Sequence, residues 1–149
     1  MSELTFRQAT IQDLPKIVPI FDSYREYFGQ QKDPVMMEQF LFDKFEHFES
    51  FIFIAQLQGE VVGFAQLYPV FSSLTLQRVW LLKDFFIEEE FRGGGVGTLL
   101  FATVKEFTLL TKSKGIELSV EHTNKKAWNF WEKKGFKMDQ EFRYYFYKL

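Results

Sequence analysis

Apolar positions along this chain keep two rhythms. In the first, short runs alternate or stay apolar throughout, as strands do. Leu4-Thr5-Phe6-Arg7-Gln8 opens the chain this way. Phe51-Ile52-Phe53-Ile54-Ala55 and Val61-Val62-Gly63-Phe64-Ala65 flank Gln58-Gly59, a hairpin pattern. Trp80 to Ile87 reads as a largely buried strand, Gly115 to Val120 alternates, and Phe142 to Tyr147 reads as a final strand. The second rhythm is helical. Ile17, Ile20, Phe21 and Tyr24 form one stripe, behind Thr10 as a cap and Asp13 in the first turn. Asp33-Pro34 starts a second helix with proline at its first position, and Leu100, Val104 and Phe107 mark a third. Asn124 and Gly135 bracket a fourth, as cap and terminator. Tyr68-Pro69-Val70-Phe71-Ser72-Ser73 reads as a loop before the central strand. The predicted order is β-α-α-β-β-β-α-β-α-β-β, an α/β (α+β) arrangement in one domain spanning residues 1–149.

Composition narrows the class. Twenty Phe in 149 residues supply apolar surface for a core without disulfides, and there is no cysteine. Disulfide scaffolds, thiolate metal sites and a cysteine acyl-enzyme are thereby excluded. A formal net charge of -2 gives no footprint for nucleic acid. No apolar span reaches membrane length and no signal pattern opens the chain, so the expectation is a cytoplasmic protein without a membrane partner. No repeat, linker or low-complexity segment interrupts it.

Between the central strand and the third helix stands Arg92-Gly93-Gly94-Gly95-Val96-Gly97-Thr98. Strand, glycine turn and helix together present free N–H groups and a positive helix end to an anion such as a diphosphate. A nucleotide-triphosphate loop needs a Lys after the last glycine, and none follows Gly97. A dinucleotide fingerprint needs a third glycine where Thr98 stands. The form [QR]-x-x-G-x-[GA] is met by Arg92, Gly95 and Gly97. In this the chain resembles the GNAT superfamily of N-acetyltransferases, whose loop of this form binds the pyrophosphate of acetyl-coenzyme A.

A second segment strengthens the resemblance. Asn124-Lys125-Lys126-Ala127-Trp128-Asn129-Phe130-Trp131-Glu132-Lys133-Lys134-Gly135-Phe136 is similar to the family's N-x-x-A-x-x-F-Y-x-K-x-G-F. The likeness covers about Val79 to Phe136 in the expected order. It implies a mixed, mostly antiparallel sheet flanked by helices, with central strands splayed at the cofactor. It also implies that Arg92, Gly93, Gly94, Gly95, Val96, Gly97 and Thr98 hold the pyrophosphate. Backbone N–H groups of Phe86 and Ile87 would meet the acetyl oxygen, and Asn124, Ala127 and Trp131 would line the cofactor arm.

The implied chemistry is attack of a neutral amine on a thioester. An alkyl amine of pKa ~10.4 needs about 4.6 kcal/mol to be neutral at pH 7, and an α-amino group near ~8 about 1.4. A thiol near ~8.5 loses only about 2 kcal/mol by departing unprotonated. Many members carry a Tyr acid where this chain has Trp131, whose indole N–H donates a hydrogen bond without delivering a proton. Tyr68 and Tyr27 are candidate acids, and Glu121 and His122 follow the fifth strand. Leu82-Lys83-Asp84-Phe85-Phe86-Ile87 is similar to L-E-D-F-F-V of spermidine/spermine N-acetyltransferases. Asp84 matches and can face the amine, or pair instead with Lys83 or a backbone amide. Lys83 replaces an acidic residue and would repel a polyamine. Three readings stand: an acetyltransferase on a small-molecule or peptide amine, one acting on protein N-termini, and a silent domain sensing acetyl-coenzyme A. Similar proteins also pair through strands near the C-terminus, which makes a homodimer an expectation.

Overall fold

Five strands of the chain form one sheet in the order β1-β2-β3-β4-β5. They are β1 (Leu4–Gln8), β2 (Phe51–Leu57), β3 (Glu60–Ser72), β4 (Gln77–Ile87) and β5 (Gly115–Glu117). Helices α1 (Leu14–Tyr27), α2 (Pro34–Glu46) and α3 (Val96–Leu110) belong with them, and α4 (Lys125–Lys133) follows. The structure is a computed structural model that describes residues 3–149. It divides into a unit ending at Leu118 and a second unit, Ser119–Leu149.

The first unit follows from a sheet covered on both faces. β2 is apolar from Phe51 to Ala55 because both of its faces are covered. Ile52 and Ile54 join Phe64 and Phe86 against Ile17, Ile20 and Phe21 of α1 and Met37 and Leu41 of α2. The alternate residues serve α3: the Phe53 ring lies 4.9 Å from that of Phe107, and Trp80 lies 5.2 Å from Phe107. The Trp80 indole N–H finds Thr111 Oγ1 at 2.9 Å. β1 to β4 pair antiparallel, and α3 makes the crossover to β5, which pairs parallel to β4. In the β2–β3 hairpin Gln58 and Gly59 both take positive φ, the geometry of a two-residue turn that follows strand twist.

Three expectations are corrected. Residues 68–72 belong to β3, registered from Tyr68↔Leu81 to Ser72↔Gln77. Pro69 is tolerated because β2 ends opposite Leu67, so its missing N–H faces no strand. The fifth strand stops at Glu117 instead of Val120, and residues 142–147 form no strand. Alternation can suggest a strand, but only a ladder with a neighbour makes one, and no described residue is registered opposite this tail. A smaller difference lies at the first helix: a 3-10 turn, Ile11–Asp13, precedes α1. There the Asp13 carboxylate accepts from the Thr10 N–H at 2.7 Å and from two Arg7 nitrogens at 2.9 and 2.7 Å.

Candidate active site

β4 leads directly into the glycine loop. β5 is registered only opposite Val79–Leu81, so Leu82 to Ile87 have no β5 residue beside them. After a 3-10 turn (Glu89–Phe91), Arg92 folds back: its Nε donates to the Ile87 carbonyl at 2.7 Å. Its guanidinium lies 4.8 Å from the Tyr27 ring centroid and 5.2 Å from that of Phe86. Tyr27 is thus a seat for Arg92. Gly93 and Gly95 have φ of +83° and +88°, a region that residues with a Cβ seldom enter. A Cβ built at Gly93, Gly94 or Gly95 would meet nothing within 4 Å, so the loop has an open side. Gly95 is the N-cap of α3 and, as glycine, brings no capping side chain of its own, and no acidic residue occupies the first turn. Val96 turns its side chain into the core, leaving its backbone to this helix end, while Gly97 and Thr98 complete the turn. A helix N-terminus with a bare glycine approach fits a phosphate-bearing group.

On the α1/α2 side of the same sheet lies a cleft of about 400 Å³. Asp84, Lys83, Gln66 and Tyr68 line it from the sheet, Tyr24 and Arg25 from α1, and Met36, Met37 and Phe40 from α2. The helices that wall it are set by local chemistry. The Asp33 carboxylate caps α2 through the Met36 N–H at 3.1 Å, with Pro34 at the first position. Buried Asp22 accepts from the Asp33 N–H at 3.1 Å and from Arg25 at 3.0 Å, tying α1 to the start of α2. Arg25 also donates to the Gln31 carbonyl at 2.7 Å.

A register irregularity shapes the floor. Gln66 is registered with Asp84 and Leu67 with Leu82, so Lys83 is the extra residue of a β-bulge. Neighbours on a regular strand face opposite ways; the bulge brings Lys83 and Asp84 to the same cleft. Asp84 is held by two donors, Tyr24 Oη at 2.7 Å and Gln66 Nε2 at 2.8 Å. The Ser50 hydroxyl donates in turn to Gln66 Oε1 at 2.7 Å. The carboxylate is therefore fixed in direction and keeps acceptor capacity. Burial, then the Asp84 charge, push the Tyr24 phenol far above its ordinary value. Burial, followed by Asp84 and Glu49, raises Tyr68 to about 12. Both phenols hold their protons at neutral pH.

Of the sequence candidates, Asp84, Tyr68, Phe86, Ile87 and Arg92 to Thr98 all fall in the first unit. Phe86 joins the cleft to the loop, since its ring lies 5.6 Å from Tyr24 and carries Arg92. Glu121, His122, Asn124, Ala127 and Trp131 fall in the second. There Asn124 Oδ1 caps α4 by accepting from the Ala127 N–H at 3.2 Å. The exposed Glu121 offers its backbone carbonyl to Trp128 Nε1 at 2.9 Å. Trp131 is buried, with its ring 4.8 Å from Phe130 and 5.3 Å from Phe136. Sequence reasoning missed Gln66, Ser50 and the functional side of Tyr24. A glutamine inside an apolar strand is the signal that was available, because a buried polar group needs a partner.

Fold and site together define an acetyltransferase of the GNAT kind. Residues 17–136 match the Acetyltransferase (GNAT) family, and the chain belongs to it. It is 37% identical over 142 residues to the "Uncharacterized N-acetyltransferase YhfO" of Bacillus subtilis, covering 95% of each chain. It resembles the "Crystal structure of a probable acetyltransferase" with a TM-score of 0.93 at 35% identity, covering 97% of each. A part-length likeness, 35% over 88 residues, is to the "Spermine/spermidine N(1)-acetyltransferase" of Bacillus subtilis, covering 56% of this chain and 57% of that one. Members of the family use acetyl-coenzyme A in general. Among the described residues, no helix is long and apolar enough to cross a membrane.

Proposed function

We propose that this N-acetyltransferase moves the acetyl group of acetyl-coenzyme A to a primary amine of a small molecule or peptide. The observation that carries the reading is the glycine-lined start of α3, which follows the part of β4 beyond its register with β5. Arg92 and the backbone of Gly93 to Thr98 would hold the pyrophosphate. Arg92 spends its Nε on the Ile87 carbonyl at the end of β4 and keeps its η nitrogens for an anion. Backbone groups at Phe86 and Ile87, where β5 has ended, would donate to the acetyl oxygen. The second family motif assigns Asn124, Ala127 and Trp131 to the cofactor arm. With its Oδ1 committed to the α4 cap, Asn124 contributes there as an N–H donor.

Bound acetyl-coenzyme A supplies a thioester, so that a C–N bond forms, the C–S bond breaks, and the proton lost from nitrogen ends on the thiol. Asp84 draws the acceptor nitrogen into the cleft, held in aim by Tyr24 and Gln66. Tyr68 acts as a hydrogen-bond donor at the same wall. As a proton source for a thiolate near ~8.5 it is a poor match, because a phenol at about 12 makes that transfer uphill by about 5 kcal/mol. Glu121 is retained as a proton acceptor on its place before the second motif.

The central-strand likeness to polyamine acetyltransferases is read as one of shape, since Lys83 brings a cation into the cleft. A second reading, an acetyl-coenzyme A sensor without turnover, draws on Trp131 in place of the family's Tyr. A thiol-release assay with an amine panel separates the two, and the cysteine-free chain adds no background. Turnover on any amine supports the enzyme. Thermal stabilisation by acetyl-coenzyme A with no turnover across the panel supports the sensor.

A further inference from the structure

The cleft beside Asp84 has a chemical character of its own. Its two cations are unequal. Arg25 is engaged by Asp22 and the Gln31 carbonyl, whereas Lys83, among the described residues, makes no ion pair. Asp84 follows Lys83 in sequence, and across the bulge both line the cleft, so opposite charges share it. The opposite wall is apolar. Met36 and Phe40 are 61% and 45% exposed, which leaves hydrophobic surface facing the space. Lys83 and Asp84 line one cleft without forming an ion pair with each other, so a ligand that matches both brings a cation for Asp84 and an anion for Lys83. A polyamine would instead set a second cation against Lys83.

We infer that the acceptor is a small amino acid, carrying an amine, a carboxylate and an apolar side chain. The inference rests on the acetyltransferase reading above. The amine meets Asp84, the carboxylate meets Lys83, and the side chain covers Met36, Met37 and Phe40. At about 400 Å³ the cleft suits a molecule of that size.

The test compares L-phenylalanine and L-leucine with L-phenylalaninamide, phenethylamine and spermidine, by calorimetric binding to the protein alone and by thiol release with acetyl-coenzyme A. The amide and the amine remove the carboxylate and keep the apolar group. The free amino acids are expected to bind, and to exceed their carboxylate-free analogues by about tenfold in affinity and in kcat/KM, the scale of a charge-assisted contact. Lys83→Gln should erase that preference and Lys83→Glu should reverse it. The exposed position of Lys83 leaves both variants able to fold. Absence of amino-acid binding, equal use of phenethylamine and phenylalanine, or a preference that survives Lys83→Glu would each overturn the inference. If acetyl-coenzyme A stabilises the protein and other amines are turned over, only the inference has failed. If acetyl-coenzyme A neither binds nor is consumed, the acetyltransferase reading has failed with it.

Discussion

Asp84 and Tyr68 show how much a single side chain depends on its neighbours. Asp84 is read as an amine anchor because Tyr24 and Gln66 fix it, and removing either donor should loosen its aim. Tyr68 remains protonated to about pH 12, so it should contribute no ionisation to a pH–rate profile measured between pH 6 and 10. Tyr68→Phe is expected to lower kcat by less than about tenfold, the loss of one hydrogen bond, with the profile unmoved. A lost basic limb would show instead that the phenol titrates in catalysis. Asp13 makes the corresponding statement about stability. Its carboxyl is held below the usual range, chiefly by the Arg7 hydrogen bonds, with burial opposing and the Thr10 N–H assisting. A depressed folded pKa gives stability that is present above the unfolded value and lost as pH falls through the folded one. Unfolding midpoints should therefore drop on acidification below about pH 4. Asp13→Asn should flatten that part of the curve and cost about 1 kcal/mol at neutral pH, a figure reduced because Arg7 is partly solvated. Denaturant melts from pH 2 to 7 would check both.

Among the elements, β3, β4 and the glycine loop carry the candidate site, and their glycines differ in what they forbid. At Gly63 an added Cβ would lie 2.6 Å from Ile87 Cδ1 and 3.2 Å from the Phe86 carbonyl oxygen. Gly63→Ala should turn the Ile87 side chain aside and shift the Phe86 carbonyl slightly, costing about 1 kcal/mol in a denaturation experiment. Gly94 has open space and no unusual φ, so Gly94→Ala should fold with wild-type stability. Gly95→Val places a branched residue at φ +88° and costs about 1–2 kcal/mol through backbone strain. If the loop receives the pyrophosphate, Gly95→Val should also abolish the thermal shift produced by acetyl-coenzyme A. A folded Gly95→Val variant with an undiminished shift would exclude the loop from binding.

For the molecule as a whole, acetyl-coenzyme A at one hundred times its Kd should stabilise the fold by about 2.7 kcal/mol. Asn124→Asp provides a selective probe, because a carboxylate still caps α4 while the amide donor is lost. Helix content by circular dichroism should stay, and the stabilisation by acetyl-coenzyme A should fall. Equal stabilisation of Asn124→Asp and wild type would assign Asn124 to capping alone.

Much of this was legible along the chain. The two motifs, the helix starts at Asp33-Pro34 and Asn124, the Gln58-Gly59 turn and the glycine entry to α3 are local signals, each set by backbone conformation or by a cap a few residues away. Local chemistry writes such features directly into sequence, and they sufficed for the family. Strand ends were not legible. Pro69 reads as a breaker until the end of β2 removes the partner its N–H would have needed, and the aromatic alternation of residues 142–147 makes no strand without a ladder. The cleft was hidden for the same reason. A one-residue bulge brings Lys83 and Asp84 to one side, and Tyr24 reaches Asp84 across sixty positions of chain. Sequence determined which backbone turns this protein makes and the family they announce. Tertiary structure alone decided which charges share a cleft, because register and long-range hydrogen bonds exist only once the strands and helices have met.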